Sequence, residues 1–154
     1  MAGTFSFGTS VAEVVIDGKT GKVTIPRFTA AHDCGHPINP MAVEGQMEGS
    51  IEQAGVATIM EGNLWERGFL LNPDLLEYKV PLACDMPDIK TIIVSSEDPE
   101  GPFGGKEGGL TIRMNAYSAV ACAVANATGT LFRELPLTPD RVLNTLERNK
   151  GVER

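Results

Sequence analysis

His32, Asp33, Cys34 and His36 fall together in "HDCGH", residues 32–36. These side-chain types ligate transition metals and move protons. A closed metal site needs a further ligand, and none follows at suitable spacing, so no metal-ligand set is assigned. The segment reads instead as a hydrogen-bonded loop in which Asp33 or Asn39 accepts from backbone N–H groups. The second chemical stretch is "GPFGGKEGGL", residues 101–110, with five glycines around the pair Lys106–Glu107. Between a strand and a helix, such bare backbone can cradle an anion or a phosphate. It is not a Walker A loop, because Lys106 is followed by Glu107 and not by Ser or Thr, and it is not a GxGxxG fingerprint. No GxSxG, no HExxH and no cysteine with an evident histidine base occurs. The residues offer a ligand-shaped loop without a self-sufficient catalytic constellation.

Several elements must position these stretches. "TSVAEVVID", residues 9–17, mixes alternation with β-branched residues and predicts a strand. A "DGKTG" turn leads into a returning strand over residues 22–33, in which Pro26 belongs at an edge or a bulge because it has no N–H to donate. "CGHPINP" predicts a loop, and Pro40 opens a helix over roughly residues 39–61. Gly45, Gly49 and Gly55 lie inside that helix, each costing about 1 kcal/mol against alanine. Gly45 and Gly49 share a face that suits tight helix packing or close approach of a ligand. Residues 62–89 predict irregular chain with short strands at best, and "KTIIVSS", residues 90–96, a buried strand. Residues 111–132 are apolar on almost every side, as in a helix buried all round, with Cys122 in the core. A last helix over 135–148 takes Thr138 as N-cap and Pro139 as its first residue. The fold class expected is α+β: a mixed sheet led by an N-terminal β-hairpin, packed against two buried helices.

The chain has 154 residues, which fits one domain with a real core. A net charge of −7, spread along the sequence, disfavours nucleic acid and acidic membrane surfaces as partners. Three cysteines without CxxC spacing argue against a disulfide framework. "MAGTFSFG" lacks the basic and apolar regions of a signal peptide, so a cytoplasmic location is expected.

The order of motifs is similar to the C-terminal part of the molybdenum-binding subunit of the xanthine dehydrogenase and aldehyde oxidase family. "AEVVIDGKTGKVTIPRFTAAHDCGHPINP" resembles that family's strand-turn-strand leading into "DxGxxxNP". "VEGQMEGSIEQAGVA" resembles its "GQxxGxxxQGxG" helix, and "LLNPDLLEYKVPLACDMPDI" its Y-K-x-P and D-x-P elements. "GPFGGKEGGL" falls where the family has "GxxGAKGVGE", and "AVANATGTLFRELPLTPDRVL" resembles its usual ending. The wording "DPEGPFGGKE" leans towards a hydroxybenzoyl-CoA reductase-like branch.

The resemblance implies molybdopterin, or molybdopterin cytosine dinucleotide, carrying molybdenum. It implies iron–sulfur and FAD-binding partner subunits, the remainder of the molybdenum subunit, and a small-molecule substrate hydroxylated with oxygen from water. Gln46 would contact the cofactor, Gly45 and Gly49 would let the helix approach it, and Gly104, Gly105, Lys106, Gly108 and Gly109 would line its pocket. The family's "KGVGE" ends in a glutamate that serves as general base. Laid residue by residue, that position is Leu110, which cannot accept a proton. Glu107, three residues earlier, is the one nearby carboxylate that a loop shift would bring into that role. The family's subunit is several times longer, so the chain is expected to be a split subunit or a fragment, inactive alone. Three other readings stay open: a non-catalytic structural or assembly subunit, a molybdenum-dependent hydratase or reductase, and an anion- or nucleotide-binding domain unrelated to molybdenum. N-heterocycles, aldehydes and aromatic thioesters all remain as substrates.

Overall fold

The computed structural model describes residues 3–152. Strand β1 (Gly8–Ile16) and strand β2 (Val23–Gly35) form the expected hairpin. Asp17 builds its turn, accepting from Lys19 N at 2.8 Å and from Thr20 Oγ1 at 2.9 Å. The inward residues of β2 change phase along the strand, from Val23 and Ile25 to Phe28, Ala30 and His32. The shift falls at Pro26–Arg27, where the pairing slips between Glu13 and Val15. That slip is a β-bulge, and it lets a proline sit in a central strand without breaking the ladder.

A third strand, β5 (Asp88–Ser95), runs parallel to β2, giving the order β1-β2-β5 and a mixed sheet. It begins earlier than expected, and it is half-buried and not buried: Ile89 and Ile93 face the core while Ile92 and Val94 stay about 40% and 46% exposed. The helices cover one face of the sheet only, so the residues of β5 that alternate away from them have nothing to pack on.

Helix α1 (Pro40–Ile51) starts at Asn39, whose side chain accepts from Ala42 N at 3.1 Å. Its core contacts Met47 and Ile51 stand four residues apart, on one helical face. The helix expected over 39–61 is present but not regular. Residues Glu52–Val56 form a π-helical turn before α2 (Ala57–Met60) resumes. Two contacts accompany the widening: the Thr58 hydroxyl donates back to the Ala54 carbonyl, and Gly55 lies against the Phe28 ring.

Between α2 and β5 the chain is irregular, as expected, with a two-strand ribbon of β3 (Trp65–Glu66) and β4 (Phe69–Leu70) and one turn of helix, α3 (Leu75–Tyr78). Helix α4 (Leu110–Thr128) stops four residues before the expected limit of 132, capped by Gly129 in the left-handed conformation. It is not buried all round. Ile112, Ala116, Val120 and Val124 make one buried stripe against the sheet, while Met114 is 66% exposed and Cys122 lies outside the core. The apolar sequence reflects surface left uncovered by this chain, not a surrounding core. Helix α5 (Pro139–Val152) begins at the expected proline and docks Val142 and Leu146 on the core cluster. Among the described residues no helix is long and apolar enough to cross a membrane.

The core joins β2, α1 and α4 through Phe28, Met47, Ile51 and Ile112, all fully buried. Ile112→Val should cost about 0.5–1.5 kcal/mol of stability, read as a lower urea midpoint at unchanged slope.

Candidate functional site

The two chemical stretches meet. Strand β2 runs on through Cys34 and Gly35, which the sequence places in a loop, so the irregular segment is only His36–Asn39. The glycine loop folds back across the end of β2. Lys106 N donates to Cys34 O at 2.8 Å, His36 N to Gly104 O at 2.8 Å, and Gly35 bridges to Gly105. Gly35 has φ +68, and a Cβ there would overlap the Gly104 carbonyl, so both the turn and the close approach require glycine.

Asp33 is the electrostatic centre of this junction. Its Oδ2 accepts from Lys106 Nζ at 2.7 Å, and its Oδ1 accepts from Ser96 Oγ at 2.6 Å and from Gly35 N at 3.0 Å. Burial works to raise the carboxyl pKa, but the hydrogen bonds from Lys106, Ser96 and Gly35, with the charge of Lys106, outweigh it and bring it down to about 2. Asp33 therefore does satisfy a backbone donor, as expected, but from a strand end. Among the described residues no group of three potential metal ligands forms. Cys34 is buried, which pushes its thiol pKa up, as expected of an inert core thiol.

Glu107 caps α4. Its Oε2 accepts from Gly109 N at 2.7 Å and Leu110 N at 2.6 Å, and its Oε1 accepts from Thr111 N at 3.1 Å and Thr111 Oγ1 at 2.5 Å. Burial pushes this carboxyl up, but the bonds from Thr111, Gly109 and Leu110 outweigh it and hold it below the ordinary carboxylate value. A carboxylate lowered in this way and spent on a helix terminus is a poor proton acceptor. The same contacts revise the anion-cradle expectation: the first amides of α4 are already taken by an anion that belongs to the chain.

The expected cofactor residues separate into three groups. Gln46, Gly105, Lys106 and Gly108 line one cavity of about 230 Å³, with His36, Ile38, Asn39 and Ala42 on its walls. Gly45 and Gly49 line a different groove, facing Pro81, Leu82 and Met86. Among the described residues nothing beyond the helix's own backbone lies within 4 Å of where their Cβ atoms would stand, so they make no tight helix packing there. Gly104 and Gly109 line neither of these hollows. Gly109 is where α4 meets α1, with Ser50 Oγ and Gln46 O about 3.0 and 3.1 Å from a Cβ built there. Leu110 is the first residue of α4 and is 61% exposed. Sequence reasoning missed the Asp33–Lys106 pair and the capping role of Glu107. The signal for the cap was an acidic residue just before a long apolar run.

Residues 1–87 match the family described as the molybdopterin cofactor-binding domain. The chain is 34% identical over 146 residues to the probable hypoxanthine oxidase XdhD of Escherichia coli K12, covering 94% of this chain and 15% of that protein. It is 31% identical over 150 residues to the carbon monoxide dehydrogenase large chain of Hydrogenophaga pseudoflava, covering 95% and 19%. Among solved structures, the reconstituted CO dehydrogenase from Oligotropha carboxidovorans superimposes with a TM-score of 0.89 at 26% identity, covering 98% of this chain and 19% of that one. Quinoline 2-oxidoreductase from Pseudomonas putida 86 gives 0.81 at 33% identity, covering 87% and 18%. The chain thus spans less than a fifth of the length of these relatives. The chain belongs to the molybdopterin cofactor-binding domain family, and its relatives include molybdenum-binding subunits of a xanthine dehydrogenase and an aldehyde oxidoreductase.

Proposed function

We propose that this chain forms one wall of the molybdopterin site of a molybdenum hydroxylase and works only when other polypeptide completes that site. The observation that carries the proposal is the shared cavity of Gln46, Gly105 and Gly108. The Gln46 side chain is exposed and makes no hydrogen bond among the described residues, and Gly108 has open space where a Cβ would stand. A free amide beside bare backbone suits the amide-like edge of a pterin, with paired donors and acceptors on each side. The cavity is smaller than the roughly 300–1,000 Å³ of ordinary ligand sites, so the rest of the cofactor needs walls that this chain does not supply. Gln46, Gly105 and Gly108 would hold the pterin edge. Gly45 and Gly49 open a neighbouring groove in which another backbone or an extended part of the cofactor can lie against α1. When bound, the cofactor supplies the oxygen transfer and the two-electron redox chemistry. In this reading the cofactor is molybdopterin or its cytosine dinucleotide, and electrons leave through iron–sulfur and flavin partner subunits.

Leu110 favours a second reading, a subunit that keeps the fold and the cofactor wall while contributing no base. Molybdenum by elemental analysis, and pterin by fluorescence after oxidation, on the complex purified with its co-expressed partners, test the proposal. About one molybdenum and one pterin per complex are expected. Absence of both from a host that makes the cofactor would sink the cofactor reading and leave the structural one.

A further inference from the structure

We infer that His32 and Asp33 are positioning residues, a two-sided clamp that fixes the glycine loop astride the end of β2 and so sets where Gly105 and Gly108 stand for a bound pterin. The part concerning pterin rests on the function proposed above. Successive residues of a strand point to opposite faces of the sheet. One of two neighbours at the end of a half-covered sheet should therefore meet solvent. Yet His32 is 0% and Asp33 8% exposed. His32 faces the core, and each of the two is bonded to one of another pair of neighbours, Glu107 and Lys106, which straddle the strand.

On the core side, His32 Nε2 lies 2.8 Å from the Glu107 carbonyl. A carbonyl only accepts, so Nε2 carries the proton and donates. Its Nδ1 is then buried without a partner among the described residues, an arrangement that an apolar side chain would avoid. On the open side, the Asp33 carboxylate holds the Lys106 ammonium at 2.7 Å, with 11% and 8% of the two side chains exposed. The Lys106 side chain is thus a strut, while the residue still lines the cavity of Gln46. Phe7 closes over the pair, its ring centre 5.9 Å from Lys106 Nζ. A loop gripped from both faces has its conformation fixed before any ligand arrives, and such preorganisation is where affinity is gained at low entropic cost.

The test uses the assembled complex from a host that makes the cofactor, with three variants: Lys106→Met, the double change Asp33→Asn with Lys106→Met, and Lys106→Arg. Amide hydrogen exchange over residues 104–109 and pterin per complex are the two readouts. Lys106→Met and the double variant should exchange at least about tenfold faster in the loop, while the Val120 region of α4 keeps its protection. Both should retain at least about tenfold less pterin, and Lys106→Arg should restore both readings. The double variant leaves no unpaired buried charge, so it reports on the clamp even where Lys106→Met does not assemble. Unchanged loop exchange in the double variant, or a loosened loop that retains its pterin, would overturn the inference. A wild-type complex without pterin would overturn the function proposed above while the exchange data still decide whether the clamp exists.

Discussion

Under the function proposed above, Leu110→Glu in the assembled, cofactor-loaded complex should raise hydroxylation turnover by about 10²–10⁴-fold, the usual contribution of a positioned general base. The substitution suits the fold. Leu110 opens α4 and is 61% exposed, so the new side chain displaces no core atom. A carboxylate in the first helical turn is favoured by the helix dipole. The Glu107 carboxylate, 2.6 Å from Leu110 N, keeps the backbone in place independently of the side chain at 110. Leu110→Gln is the control, because it has the same length and polarity but cannot take the proton. Steady-state kinetics with an N-heterocycle and an aldehyde would compare the three proteins. A glutamate and a glutamine of equal effect would show that position 110 carries no base in this chain, and the family-based placement would fail.

Acid should destabilise the chain through Asp33. Its folded carboxyl pKa is held at about 2, against 3.8 for the ordinary group. A depressed folded value means that the unfolded state binds the proton first, so stability falls as pH falls. At neutral pH the difference is worth about 2 kcal/mol, using about 1.4 kcal/mol per pKa unit. It is fully present above about pH 4 and is lost as pH drops towards 2. Glu107, also lowered, adds in the same direction. Urea unfolding at pH 6, 4 and 2.5 would measure the loss, and Asp33→Asn should flatten that part of the profile. An Asp33→Asn protein with the same acid dependence as wild type would show that the pair does not govern it.

The hairpin and the start of the last helix were legible because turn chemistry and proline act locally. Pro26 even located the bulge. The glycine loop and Gln46 were legible as a pattern of residues, but which of them share a cavity was not. Gly45 sits next to Gln46 in sequence and opens into another groove, because adjacent helical residues point about 100° apart. The Asp33–Lys106 pair joins residues 73 apart in sequence, and no local rule links them. The apolar run after residue 110 misled for the opposite reason: only one stripe of it is buried, and Met114 and Cys122 are exposed. Glu107 looked like a stray catalytic carboxylate, and only the helix start at Leu110 shows why it is there.

The strand order has a kinetic corollary. β2 pairs with β1 across a short turn, a closure that hairpins complete in microseconds. Its other partner, β5, is brought in across more than fifty intervening residues, and parallel pairing at such separation is slow. The glycine loop lies beyond β5, and its grip on residues 32–36 is expected to close after that strand has docked. The loop that would form the proposed cofactor wall is therefore expected to be among the later parts of the chain to settle. In the function proposed above, cofactor delivery would follow the docking of β5, so the order of events would depend on where that strand sits in the sheet.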